Sequence, residues 1–215
     1  MIDAHTCPLC RHTKCDPYYR DKHRAYFQCS ECQLVFVPTG YHLSPELEKA
    51  EYDKHENQLE EPGYLTFLSR MYEPIHRAVK PGSSGLDFAC GPAPALANKL
   101  NQLGHKVNTY DLFYRPETSV LQHKYDFITC TEVIEHLASP VVQFEQMLEM
   151  LKPGGLLGIM TKLVIDKERF ASWHYKNDQT HISFFSRTTF EFLAHRFKLD
   201  LEFVGQDVML FTKGQ

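Results

Sequence analysis

Two pairs of cysteines stand near the start of the chain, Cys7-Pro-Leu-Cys10 and Cys29-Ser-Glu-Cys32, with 18 residues between them. Thiolates two residues apart reach one ion from a single tight turn, and two such knuckles complete the four ligands of a tetrahedral zinc. Cys7, Cys10, Cys29 and Cys32 are therefore expected to hold one structural zinc, with Cys15 off the pattern as an ordinary thiol. A second chemically able stretch is Ser84 to Leu96, SGLDFACGPAPAL. Leu86 and Phe88 suit a buried strand, Asp87 places an acid near its end, and Ala89, Cys90, Gly91 and Ala93 keep the turn slim enough for a ligand to approach the backbone. Pro92 and Pro94 remove two N–H donors and the G-x-G-x-x-G spacing is missing, so a pyrophosphate is not the expected ligand. Asp111 follows Gly91 by twenty residues, where a carboxylate can accept both hydroxyls of a ribose. His181 and His136 are the candidate proton acceptors, imidazoles with an ordinary pKa near 6.5. Glu132 precedes His136 by four residues and could share a divalent ion with it on a helix.

The elements that must position these residues alternate. Between and after the knuckles, Tyr18-Tyr19, Ala25 to Gln28 and Leu34 to Val37 supply β-type sequence for a ribbon too small to fold without a metal. Arg11, His12, Lys14, Arg20, Lys22, His23 and Arg24 form a basic, tyrosine-interleaved hairpin that could touch RNA, or simply a solvated face. Ser44 to Glu61 carries seven acids against two lysines and reads as an exposed helix or lid. Tyr64, Leu65, Leu68, Met71, Tyr72, Ile75 and Val79 then recur at helical spacing, with Pro74 as an expected kink. A helix from Pro94 ends at Gly104, a strand covers Lys106 to Tyr110, and a further strand is expected near Val120. Tyr125 to Cys130 reads as a strand, Ser139-Pro140 as the start of a helix, and Leu156 to Thr161 as the next strand. Ser186 caps a last helix before a closing pair, Leu199 to Val204 and Val208 to Thr212.

At 215 residues and 43% hydrophobic content the chain can hold one α/β domain plus a small appendage. The expected division is 1–40 for the ribbon, 41–80 for a helical connection and 81–215 for the core. A net charge of −4 excludes a generally basic nucleic-acid coat. No run approaches the roughly 18 apolar residues of a membrane span, and seven cysteines in a chain opening on so polar a stretch point to thiols and metal in the cytoplasm.

The succession DFACGPA, YDFITCTEVIEHL, a helix and LKPGGLL resembles the motifs of the class I S-adenosylmethionine-dependent methyltransferases, in particular the branch with ubiquinone-pathway O-methyltransferases. Their usual acid followed by G-C-G-x-G becomes Asp87-Phe88-Ala89-Cys90-Gly91-Pro92-Ala93 here, with two of three glycines replaced by alanine. The resemblance covers about Ser84 to Met160 and implies a Rossmann-like, seven-stranded, mostly parallel sheet with helices on both faces. It implies that Asp87, Ala89 and Gly91 meet the cofactor's methionine part, with Cys130 and Thr131 beside it. Asp111 would take the ribose, and Leu112 and Phe113 would border the adenine. Tyr64 or His55 would line the pocket from the preceding helix, by the same analogy.

The activity so implied is methyl transfer from S-adenosylmethionine to an oxygen or carbon of a small-molecule acceptor, with no membrane partner. Two other readings stand beside it. An RNA methyltransferase would use the ribbon's basic hairpin to grip nucleic acid, although the acidic 44–61 stretch opposes this. A non-catalytic, zinc-containing interaction protein on a degenerate cofactor fold would explain Ala89 and Ala93. Oligomeric state is not legible.

Overall fold

The structure is a computed structural model and describes residues 6–54 and 61–215. Two sheets organise it. The larger has six strands: β4 (Ser84–Phe88), β5 (Lys106–Tyr110), β6 (Tyr125–Thr131), β7 (Leu151–Met160), β9 (Leu199–Val204) and β10 (Val208–Lys213). Their order is β5-β4-β6-β7-β10-β9, with the first four parallel and β10 antiparallel to both neighbours. The smaller sheet joins β1 (Cys15–Arg20), β2 (Ala25–Cys29), β3 (Val35–Phe36) and β8 (Ser183–Phe184), all antiparallel.

Period-two alternation along the central strands feeds two separate cores. Phe127, Leu156, Met160, Val208 and Leu210 point to one face, where Leu68, Met71 and Ile75 of α2 (Pro62–Ala78) and Leu96 and Leu100 of α3 (Ala95–Gln102) cover them. Ile128, Leu157, Ile159, Met209 and Phe211 point to the other, under Phe144 and Leu148 of α4 (Pro140–Met150) and Phe190 and Leu193 of α5 (Arg187–Phe197). The helices thus lie on both faces, as expected. Gly158 allows the first packing, because a Cβ there would come within 2.7 Å of the Met71 sulfur. The expected cap at Ser186 is a full capping box with Thr189, whereas Ser139 makes no side-chain cap. Pro74 lies within α2, which continues to Ala78. Pro62 opens this helix, a first-turn position where its missing N–H costs nothing.

Two strand expectations need correction. The sheet has six strands, not seven, because no strand forms near Val120. The chain instead turns back on itself through an Asp111–Arg115 bridge and a 3-10 turn at Thr118–Gln122, where the Val120 carbonyl accepts from the Tyr125 hydroxyl at 2.7 Å. This link is too short for a crossover helix and a strand, so β5 remains an edge. β7 also starts five residues early, at Leu151, with a register shift between Tyr125 and Phe127 that accommodates Pro153-Gly154-Gly155. The cysteine sheet does not stop at residue 40. It takes its fourth strand, β8, from the far end of the chain, with Val35 opposite Phe184 and Phe36 opposite Ser183. The acidic stretch supplies α1 (Pro45–Tyr52), capped by Ser44, while His55 lies outside the described residues.

Candidate active site

The carboxyl ends of β4, β5 and β6 form the crevice at which open α/β sheets bind ligands. Tyr64, Leu68, Asp87, Ala89, Cys90, Ala93, Ala95, Leu96 and Thr131 line a cavity of about 30 Å³ there. That volume holds a water-sized body and no nucleoside, so a larger ligand requires the lining to move. Ala89 and Gly91 both have positive φ, 56° and 67°. The turn therefore keeps a glycine's backbone at Ala89, where the side chain costs about 1–2 kcal/mol. A Cβ placed on Gly91 would meet nothing within 4 Å, so the open side of the turn is a cradle as well as a bend. Asp87 is buried and accepts from Thr129 Oγ1 at 2.9 Å, and burial pushes its carboxyl up to about 7. Thr131 lines the same cavity, and its buried Oγ1 has no hydrogen-bond partner among the described residues. An acid, a free hydroxyl and an uncovered glycine fit the amino-acid end of a ligand such as S-adenosylmethionine.

Asp111 is buried one loop away, and its carboxylate organises that loop. Oδ2 accepts the Gly91 N–H at 2.9 Å, and Oδ1 accepts those of Phe113 and Tyr114 at 2.8 and 3.0 Å. It binds the two ligand loops to each other. Leu112 is not brought to the pocket: it is 66% exposed, because the turn that brings the next two amides back to Asp111 puts Leu112 on its outside. Phe113 packs instead on Tyr52 of α1, with ring centroids 6.0 Å apart. Cys130 is fully buried between β4 and β7 and does not reach the cavity, whereas Thr131 beside it does.

Past Thr131 the chain turns at Glu132, whose φ is 52°, into a short 3-10 turn, Ile134–His136. Here a buried polar cluster assembles. The Tyr175 hydroxyl donates to Glu135 Oε1, lies 3.3 Å from Glu132 Oε2 and 3.2 Å from Thr161 Oγ1. Burial, with the Glu132 charge adding to it, pushes Glu135 up to about 8, and burial pushes Glu132 up to about 7. Burial next to these acids also drives the Tyr175 hydroxyl far above the ordinary tyrosine range. His181 is buried, with Nδ1 2.7 Å from the Tyr175 carbonyl oxygen. A carbonyl can only accept, so Nδ1 carries the proton and Nε2 keeps its lone pair. Burial lowers the His181 pKa, Asp178 opposes that shift, and Arg24 and Lys162 support it. His136 stacks edge-on against His181 at 4.6 Å and against Tyr52 at 5.3 Å.

The two histidines predicted separately from sequence therefore meet. Their acidic neighbour is Glu135, not Glu132: ligand-type atoms of Glu135, His136 and His181 lie within 4.8 Å of one another. The segment is a 3-10 turn beginning after a left-handed residue, so the i, i+4 pairing expected of a helix does not arise. Glu135, Tyr175 and Asp178 were not singled out as site residues from sequence. Only the adjacency of Glu135 to His136 signalled the first, while Tyr175 and Asp178 lie in the aromatic and polar stretch 166–179, which reads from sequence as a substrate wall without assigning either residue a role.

At the ribbon, the four predicted thiols come together. Cys7 and Cys32 sulfurs are 3.5 Å apart, Cys10 and Cys29 sulfurs 3.4 Å, and all four lie within 4.8 Å. Tetrahedral Zn–S bonds of 2.3 Å place sulfurs about 3.8 Å apart, so the donor set and spacing fit zinc. Each knuckle closes alike, with Arg11 N–H to Cys7 O and Gln33 N–H to Cys29 O, and with Arg11 and Gln33 both left-handed. Hydrogen bonds from Cys32 and Cys7 pull Cys10 down to about 2, while sharing with Cys10 pushes those two up. Of the basic hairpin, Arg24 is turned inward and buried.

A mostly parallel sheet flanked by helices, with a ligand crevice and a buried acid–imidazole cluster at its strand ends, defines an α/β protein of the doubly wound class. The methyltransferase domain family model matches residues 33–202, and the chain belongs to that family. Over 82 residues it is 27% identical to the ubiquinone biosynthesis O-methyltransferase of Histophilus somni, a match covering 36% of this chain and 34% of that protein. The chain thus spans about a third of the length of the curated relative it matches. Its fold is similar to that of the 1,6-didemethyltoxoflavin-N1-methyltransferase of Burkholderia thailandensis, solved with bound 1,6-didemethyltoxoflavin and S-adenosylhomocysteine. That likeness has a TM-score of 0.55 at 15% identity and covers 93% of this chain and 100% of the other. A methyltransferase of Archaeoglobus fulgidus described as SAM-dependent is also similar, with a TM-score of 0.55 at 12% identity, covering 77% and 99%.

Proposed function

We propose that the protein transfers a methyl group from S-adenosylmethionine to an oxygen or carbon of a small molecule. One observation carries this reading. The Asp87–Gly91 cradle and Thr131 hydroxyl adjoin, through Glu132, a buried cluster of Glu135, Tyr175, His136 and His181 that can handle an acceptor's proton. The sulfonium supplies an activated methyl group, so the chain's task is to align the acceptor and exclude water. Asp87 would hold the cofactor's amino group and Asp111 its ribose, the latter exchanging backbone donors for hydroxyls. Thr131 would sit beside the methionine part. His181, neutral with its Nε2 lone pair available, would take the proton of a hydroxyl as the methyl arrives, with His136 and Tyr175 fixing its direction. Zinc at Cys7, Cys10, Cys29 and Cys32 would be structural.

The ribbon reads less well as an RNA grip, because Arg24 is engaged internally. Among the described residues no helix is long and apolar enough to cross a membrane. His181→Ala tests the assignment: it should lower turnover by about 10²- to 10⁴-fold, with S-adenosylhomocysteine affinity unchanged. Intact turnover would make His181 a packing residue and move the base to His136.

A further inference from the structure

Arg24, at the tip of the cysteine ribbon, is 6% exposed, and both terminal nitrogens of its guanidinium point into the body of the protein. Nη2 donates to the carbonyls of Lys176 and Asp178 at 2.5 and 2.7 Å, Nη1 to that of Gln179 at 3.0 Å, and Nε to the Tyr26 hydroxyl at 2.9 Å. Tyr26 in turn donates to Asp21 at 2.9 Å, so the buried cation is tied to a carboxylate through one phenol. Lys176 belongs to a 3-10 turn, His174–Asn177, and Asp178 and Gln179 to the irregular stretch that leads from it to β8. The 174–181 segment also carries Tyr175, which donates to Glu135, and His181, which donates back to the Tyr175 carbonyl. The Asp178 carbonyl also accepts the His181 N–H at 3.3 Å, and a planar guanidinium with five donors ties all three carbonyls to one side chain.

We propose that Arg24 is a positioning residue, the joint through which the cysteine ribbon holds the 174–181 wall of the acid–imidazole cluster in place. The ribbon is then part of the acceptor site's scaffold and not an appended module. A second, independent connection runs parallel to the first: β3 pairs with β8, Val37 N–H donates to Ile182 O, and Ile182 N–H donates to Glu135 O. The ribbon's strands therefore reach Glu135 and His181 by hydrogen bonds on both sides of the wall. Calling this wall the acceptor site rests on the methyl-transfer reading, but the mechanical coupling does not.

Trp173 gives a direct readout. It is the chain's single tryptophan, half-buried beside Phe170, Tyr175 and Phe184 at ring distances of 6.0, 5.0 and 6.1 Å. Arg24→Gln and Arg24→Lys are compared with the parent by acrylamide quenching of Trp173 fluorescence, by far-UV melting and by calorimetric titration with S-adenosylhomocysteine. Lysine keeps the charge but reaches one carbonyl where arginine spans three. Quenching at least twofold stronger in both variants, with a cooperative melt and affinity within twofold of the parent, is the expected result. Unchanged quenching would overturn the proposal, as would a loss of S-adenosylhomocysteine binding in step with quenching, which marks a general stability residue. Should Arg24→Gln not fold, Arg24→Lys decides by the same two outcomes. No methyl acceptor enters the experiment, so failure of the coupling and failure of the methyl-transfer reading are seen separately.

Discussion

Replacing Glu135 by glutamine tests the electrostatics of the site without knowledge of any substrate. Glu135 is fully buried, and burial pushes its carboxyl from 4.5 to about 8, with Glu132 beside it pushed to about 7. A carboxyl whose folded pKa is raised stays protonated in the native state while the unfolded chain releases its proton, so stability falls as pH rises between the two values. Each pH unit in that window costs about 1.4 kcal/mol, and the full span gives an upper bound of about 5 kcal/mol. Glutamine is neutral throughout and escapes this loss. Its amide meets a position where Glu135 Oε2 has no partner among the described residues, a fixed cost of about 1–3 kcal/mol that does not vary with pH. The slope is therefore the test. Urea unfolding of parent and Glu135→Gln at pH 5, 6, 7 and 8 should show the variant gaining on the parent steadily as pH rises. A difference that stays flat across this range would mean that Glu135 is ionised in the native protein and that the argument from burial is wrong.

Other substitutions probe the remaining parts. Asp111→Asn keeps the shape but offers an amide to one of three backbone donors, so S-adenosylmethionine affinity should fall by about 1–3 kcal/mol in calorimetry, with a lower melting temperature. An unchanged affinity would place the ribose elsewhere. Ala89→Gly relieves a left-handed alanine and should stabilise the protein by about 1 kcal/mol in thermal melts; destabilisation would show that the Ala89 methyl is needed for packing. Cys29→Ser with Cys32→Ser should remove one zinc per chain by metal analysis and loosen the β3–β8 pairing, seen as faster amide exchange at Ile182. Retained zinc would reject the four-cysteine site.

Local patterns in the sequence carried much of the fold. Lys106 to Tyr110 and Leu199 to Val204 match their observed strands, because alternation and a preceding glycine or helix end fix such elements locally. The four cysteines were legible for the same reason: their spacing is their geometry. What escaped depends on distant contacts. A strand near Val120 fails since the link is short and the Tyr125 hydroxyl claims the Val120 carbonyl. Leu151 joins β7 although Pro153 and two glycines follow, because Tyr125 pairs with it across a bulge. Arg24 looked like one charge in a solvated run, and only the loop 150 residues later turns it into a buried clamp. Glu135 was hidden by its neighbour: an i, i+4 pairing favoured Glu132, and the left-handed Glu132 backbone breaks the helix that pairing needs.

The central claim is that the crevice around Asp87, Gly91 and Thr131 binds S-adenosylmethionine next to the acid–imidazole cluster. A crystal structure of the protein with S-adenosylhomocysteine tests it most directly. The expected density has the amino-acid end against Asp87 and Thr131, the ribose on Asp111, Tyr64 displaced from its present place on the cavity wall, and the sulfur facing His181. Density for the ligand at another place, or a saturated soak and calorimetric titration that both show no binding, would contradict it.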